Sequence, residues 1–360
     1  MSQDHRGQEK RAGLPPIRLL YPQALRPEPS LVAPAITVRG RFTWAVLNPD
    51  GSVDRSGAQD NLVTDSGLDY LMQAGAQGVH YAVCVGVGNS TPSFANTRLD
   101  AEVYRYAQTE YLSGVAFSGG GFSANGEYRS YRRWLFPLGA LEANLAEVGF
   151  SHNTSFNSGV NIRQLFRDAQ GTPQVVSVAR DQQLRVQHEF YYRFPIGLSP
   201  MTWTVEGFPP LVGQGGWLRL RDGVEGWYPN NGEQRNGLAQ PHTSGELVLG
   251  MLGSSPQPNE RTDTNMPYLA GYSNTGHVIG TFWPEPYVLG SFERRKTVEI
   301  GPDDYNRDFN FIGYGLYAPN NQYDWNTMWG FFFDSPSKVT KLDTHRLRLS
   351  LKWKIAREAL

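Results

Sequence analysis

The stretch "HRLRLSLKWK", residues 345–354, alternates without a break. Leu347, Leu349, Leu351 and Trp353 share one side of an extended chain, and Arg346, Arg348, Ser350, Lys352 and Lys354 share the other. A period of two is the mark of a strand with one buried face. The same inward pattern stands in "DQQLRVQHEFYYRF", residues 181–194, where Leu184, Val186, His188, Phe190 and Tyr192 sit 163 positions before Leu347, Leu349, Leu351, Trp353 and Ile355.

The correspondence extends upstream. "GEYRSYRRWLFPLG" from Gly126 lies beside "GSFERRKTVEIGPD" from Gly290, and "ANLAEVGF" from Ala143 beside "RDFNFIGY" from Arg307, both at a separation of 164. "QLFRD" ending at Asp168 lies beside "GFFFD" ending at Asp334, at 166. Four strand-like segments that keep their order and nearly their spacing predict an internal duplication. The expected fold is mainly β: two duplicated antiparallel β-sandwich-like domains, each over its own core, with an extended N-terminal arm and a short helix. The domains read as 1–35 for the arm, 36–195 for the first copy and 196–360 for the second.

Composition agrees with a β-rich chain. Among 360 residues there are 39 Gly, 24 Pro, 9 Trp, 18 Tyr and 18 Phe, many turn formers and aromatics with few long helical patterns. Lys plus Arg is 33 against 34 Asp plus Glu, so no overall field favours nucleic acid or a membrane surface. The single cysteine, Cys84, lies in the apolar run "YAVCVGV" and reads as a core residue. No apolar run reaches the length of a membrane span or a signal peptide, which predicts folding in a cytoplasm.

Residues 1–35 hold six prolines from Pro15 to Pro34 and no amphipathic period, so the segment reads as extended. Such an arm buries too little of itself to order alone. Leu19, Leu20, Tyr21 and Leu25 are its candidate anchors on another chain, and removal of residues 2–35 is expected to leave a folded protein. From Ile36, "ITVRGRFTWAVL", the turn "NPDG" and "SVDRSG" predict a hairpin. "TDSGLDYLMQAG" predicts a short helix capped by Thr64 or Asp65.

The outward residues matching the basic strand in the first copy are Gln183, Arg185, Gln187, Glu189 and Tyr191. The fold therefore does not require cations there. Arg346, Arg348, Lys352 and Lys354 read as a contact for a neighbouring subunit, or as charges that guard a terminal edge strand.

No HExxH, paired cysteines or GxSxG is present, and the seven histidines are scattered. No catalytic, metal-binding or cofactor-binding residue is assigned, and the chain reads as non-enzymatic. "VGVGNS" at 85–90 lacks the third glycine of a nucleotide loop. Asp303, Asp304 and Asp308 read as solvated turn aspartates, and His188 as a core histidine. Two Asn/Gly-rich loops, 224–237 and 318–330, carry Trp227, Tyr228, Tyr323, Trp325 and Trp329, aromatic plates suited to a sugar ring or a protein hot spot.

"NLVTDSGLDYLMQ", "VCVGVGNSTPSFANTRLDAE", "RRWLFPLGALEANLAEVGF" and "LFRDAQGTPQVVSVARDQQLRV", within residues 60–195, resemble structural proteins of tailed bacteriophages of the tail-fibre, tail-tip or minor virion type. The resemblance implies a virion component assembled in a bacterial cytoplasm. It would bind other virion proteins as a homo-oligomer, a trimer or a ring, with no nucleic-acid or membrane partner. The alternative is a receptor- or carbohydrate-binding tail protein whose ligand is a host surface glycan.

Overall fold

The computed structural model describes residues 30–74, 78–112, 115–116, 118–123, 127–195, 197–203, 210–218, 247–250, 277–278, 281–284, 286–301, 303, 308–309, 311–315, 328–333, 339–340, 342–343 and 347–358. The arm residues Leu19, Leu20, Tyr21 and Leu25, and Arg346, lie outside them.

The chain begins with β1 (Ser30–Val32), β2 (Ile36–Leu47) and β3 (Val53–Val63), then α1 (Asp65–Ala74). Next come β4 (Ala82–Gly86), β5 (Glu102–Tyr106), β6 (Tyr111–Leu112), β7 (Val115–Ala116) and β8 (Ser118–Ser123). The first half closes with β9 (Glu127–Leu135), β10 (Ala143–Leu145), β11 (Glu147–Ser151), β12 (Ile162–Leu165), β13 (Val176–Val178) and β14 (Gln183–Arg193). The second half holds β15 (Ser199–Trp203), β16 (Leu211–Leu218), β17 (Leu247–Gly250), β18 (His277–Val278), β19 (Thr281–Pro284) and β20 (Glu293–Ile300). It ends with β21 (Asp308–Phe309), β22 (Phe311–Gly315), β23 (Met328–Phe333), β24 (Val339–Thr340) and β25 (Leu347–Arg357). The fold is mainly β, in several sheets, with one helix among the described residues.

Local chemistry explains the elements. β2 and β3 form the expected hairpin, closed by Asp50 accepting from the Ser52 amide and by Gly51 at a φ of 81°. Thr64 caps α1, its hydroxyl oxygen accepting from the Gly67 amide at 3.1 Å. A Cβ at Gly67 would stand 2.1 Å from the Asn161 carbonyl oxygen, so glycine lets the helix start touch the β11–β12 connection. Leu68, Leu71 and Met72 bury the helix's apolar face.

One pairing order occurs twice. The path β2-β3-β12-β11-β4-β5 and the path β15-β16-β23-β22-β17-β18 place their first, second, sixth, fifth, third and fourth strands side by side. β8-β9-β14 recurs as β19-β20-β25, and the β10–β13 pair as β21–β24. Registers recur too. Trp134 faces Val186 across β9–β14, and their sequence matches Val298 and Leu349 face each other across β20–β25. Gly149 faces Cys84, as Gly313 faces Val248. One match is a residue out. Gly149 faces Arg163, but Gly313 faces Gly330, not Trp329. Three consecutive phenylalanines, Phe331 to Phe333, offer no period of two, so the sequence had nothing to fix that register.

The two halves do not close separately. β25 lies between β20 on one edge and, on the other, β1 and the start of β2, both parallel to it. It is therefore an interior strand of a 13-stranded sheet, not a guarded edge, and the sheet is not wholly antiparallel. Residues 30–35, read from the sequence as arm, lie on this chain's own body: Leu31 and Ala33 are buried, and the Ala33 amide donates to the Lys352 carbonyl. The core is likewise continuous, running from Leu31 through Phe42, Phe150 and Phe190 to Trp217, Phe331 and Ile355. The expectation of one core per half is corrected by this shared strand.

Candidate interaction surface

The first candidate region is β25. Ser30, Leu31 and Val32 stand beside Ser350, Leu351 and Lys352, so β1 runs parallel to the middle of the basic strand. Val32 is 55% exposed there. Across the other edge Glu293 faces Lys354, Thr297 faces Ser350 and Glu299 faces Arg348. Lys352 pairs with Glu293 at 2.5 Å. An acid of the same chain thus meets one of the four cations thought to face a neighbour. Sequence alternation alone could not place β20 beside it. Lys354 is exposed.

A second region is held by ions the sequence did not single out. Glu147 and Arg163 are fully buried, and Arg163 Nε donates to Glu147 at 3.0 Å. Arg163 also reaches Asp100 at 2.6 Å and Asn96 at 3.0 Å. The Glu147 carboxylate accepts from the amides of Gly88, Asp100 and Ala101 at 3.2, 3.1 and 2.9 Å. Burial works to raise the Asp100 carboxyl, but hydrogen bonds from Ser90 and the Arg163 charge bring it below its ordinary value. This explains "VGVGNS": a Cβ at Gly86 or Gly88 would stand 2.6 or 2.4 Å from Glu147 Oε1, so the glycines make room for a carboxylate. Replacing Gly88 by alanine should lower the melting temperature by several degrees in a thermal scan, since both Glu147 and Asp100 crowd that position. An unchanged melting temperature would show that the loop adjusts freely.

The pinned loop, residues 87–101, presents Phe94 at 49% exposure. Arg357 of β25 lies 4.0 Å over that ring, pairs with Asp65 and donates to the Val63 carbonyl. One helical turn on, Asp69 accepts from the Tyr287 hydroxyl and the Gly290 amide. The turn so held exposes Val288 and Leu289, at 68% and 70%. It ends at Phe292, whose φ of 52° costs on the order of 1–3 kcal/mol for a bulky residue. Asp65 and Asp69 share a face of α1, so Phe94, Val288 and Leu289 gather along one helix from two distant segments.

A third region is the outer face of β2, β14 and β9. Arg39, Glu127, Arg193 and Glu358 form a closed ring of ion pairs. Arg39 lies 4.0 Å over Tyr191, and Arg129 5.1 Å over Tyr131. Both rings carry a guanidinium on a face, so neither is a bare plate for a sugar.

The aromatic residues Trp227, Tyr228, Tyr323 and Trp325 lie outside the described residues. Trp329 is not in a loop: its backbone is part of β23, opposite Trp217 and Tyr314. Asp303 is an exposed turn residue, and Asp308 accepts from Thr340. Among the described residues no three His, Cys, Asp or Glu gather as a metal set. No family model matches the chain, and no curated protein or solved structure matches it at a significant level.

Proposed function

We propose that this chain is a structural component of a tailed bacteriophage particle that works by binding other virion proteins. The observation that carries the reading is the junction of β1 with β25. The proline-rich arm and the basic strand, separate candidates in the sequence, become neighbours there. β1 lies along Ser350–Lys352 and Lys354 is exposed further along the same strand, so arm and strand together would form one contact for an adjoining subunit, whether in a trimer or a ring. The body, on this reading, is an internal duplication of two sandwich-like units, supported by the recurrent strand order and register. The buried Glu147–Arg163 pair and its bonds to Asp100 and Asn96 hold residues 87–101 to the sheet, as suits a rigid building block.

The test follows tagged protein into particles banded on a density gradient. The full chain should sediment with particles, and a form lacking residues 2–29 should fall at least about tenfold. Lys354→Glu should slow incorporation more gently, with an effect that shrinks in high salt. Absence of the full chain from particles would end the proposal.

A further inference from the structure

His80 lies in the short connection between α1 and β4, and His188 lies in the middle of β14. Both are buried, and their Nδ1 atoms are 2.7 Å apart. His80 Nε2 is 3.0 Å from the Ser130 hydroxyl of β9. His188 Nε2 has no hydrogen-bond partner. These contacts select one arrangement of protons. His188 Nδ1–H donates to His80 Nδ1, and His80 Nε2–H donates to Ser130. The bare His188 Nε2 is then a lone pair, which costs less to leave unmatched than an N–H.

We infer that this histidine pair is an acid-released latch holding the α1–β4 connection against the β9–β14 sheet. Phe150 of β11 stacks 4.0 Å from His188, and Trp134 and Phe190 pack edge-on to His80, so water is excluded. The charged group that faces the pair is Arg132 of β9, which lies over Tyr81 and donates to its carbonyl. It is a cation, and no carboxylate among the described residues acts on either ring to offset it. A proton added to His80 Nδ1 turns the acceptor of the Nδ1–Nδ1 bond into a donor and breaks that bond. One added to His188 Nε2 leaves the bond but buries an imidazolium with an unpartnered N–H in a dry site. Either charge is buried without a carboxylate among the described residues to offset it, so acid favours the open form.

Burial, and then Arg132, hold His80 down at about 3; burial, and then His80, hold His188 well below the ordinary range. An unfolded chain takes up these protons below about pH 6.5. Between that value and about 3 the open form binds more protons, so stability is full above 6.5 and is lost as pH falls. The latch holds the connection that leads out of α1, and α1 carries Asp65 and Asp69, which bind Arg357 and the 287–290 turn of the second half. Its release would loosen the junction of the two halves. This inference does not depend on the virion reading.

The test is urea unfolding of the full chain from pH 7.5 to 5.0, beside the double variant His80→Gln/His188→Gln. Below pH 6.5 the wild-type unfolding constant should rise, relative to the variant, by up to about 100-fold per pH unit, tenfold for each histidine. Equal pH slopes would overturn the latch. If the variant does not fold, ring proton shifts of the wild type decide: rings that stay neutral to pH 5 support it, and rings titrating near 6.5 in the folded chain overturn it. Hydrogen exchange after acidification should accelerate in residues 65–81 before residues 143–178, and the reverse order would place the opening elsewhere.

Discussion

Arg163→Met should lower the unfolding free energy by about 3–5 kcal/mol, the largest effect expected of any single substitution in the described body. Arg163 and Glu147 are both fully buried, and the arginine is the main compensation for a carboxylate taken out of water. Removing it leaves that charge alone in a medium of low polarisability. It also frees Asp100 and Asn96, which tie residues 87–101 to the sheet. The double variant Glu147→Leu/Arg163→Met should cost less than the sum of the single changes, because no charge stays behind. It should not be neutral. The amides of Gly88, Asp100 and Ala101 lose their acceptor, at about 1–3 kcal/mol for each that stays dry. In the recurrent strand order, β22 starts with Phe311 where β11 starts with Glu147, and Phe311 stacks on Phe332 at 4.8 Å. An apolar solution to the same place in a sheet therefore exists in this chain. Urea unfolding followed by tryptophan fluorescence measures the effect, and proteolysis within 87–101 locates it. A loss under about 1 kcal/mol for Arg163→Met would mean that the ion network does not hold the loop.

The second large effect separates two truncations that differ by six residues. Removing residues 2–29 keeps every contact described here, and the protein should melt within a few degrees of the full chain. Removing residues 2–35 deletes β1. Burial of Leu31 alone is worth about 2–3 kcal/mol, and each parallel backbone bond to β25 about 1 kcal/mol net. Ordering so short a strand offsets part of this. A net loss of a few kcal/mol should remain, and the Ser350–Lys352 edge would be open to other strands. The longer deletion should thus melt lower and elute partly as aggregate on size exclusion, while the shorter one stays monodisperse. Identical behaviour of the two would show that β1 contributes nothing to the body. The sequence reading placed the boundary at residue 35 because Pro34 continues the proline spacing of the arm. The structure sets residues 30–35 on the body, because Leu31 and Ala33 are buried beside β25, which no local pattern announces.

Much was legible locally. Leu184, Val186, His188, Phe190 and Tyr192 are buried as their spacing requires, and the 36–63 hairpin and the helix near 65–74 follow from alternation, turn residues and a cap. The matched residues Trp134 and Val298 occupy corresponding registers because inward faces and strand order are written within a few residues of chain. These features depend on a side-chain period or a single hydrogen bond, and both are short-range. What only the tertiary structure decided is who meets whom. His80 meets His188 across 108 positions, Tyr287 meets Asp69 across 218 and Arg357 meets Asp65 across 292. Glu147 and Arg163 are close in sequence, yet nothing in "EVGF" or "IRQL" shows that both ends of the pair lose all contact with water. Likewise β25 shows an inward face in its letters, but not that β1 lies along one edge and Glu293 along the other. A strand's own sequence fixes which side is apolar, and its edges carry the same amide and carbonyl groups whatever the side chains are. The choice of neighbour is made by the summed packing of distant faces, which no segment contains alone.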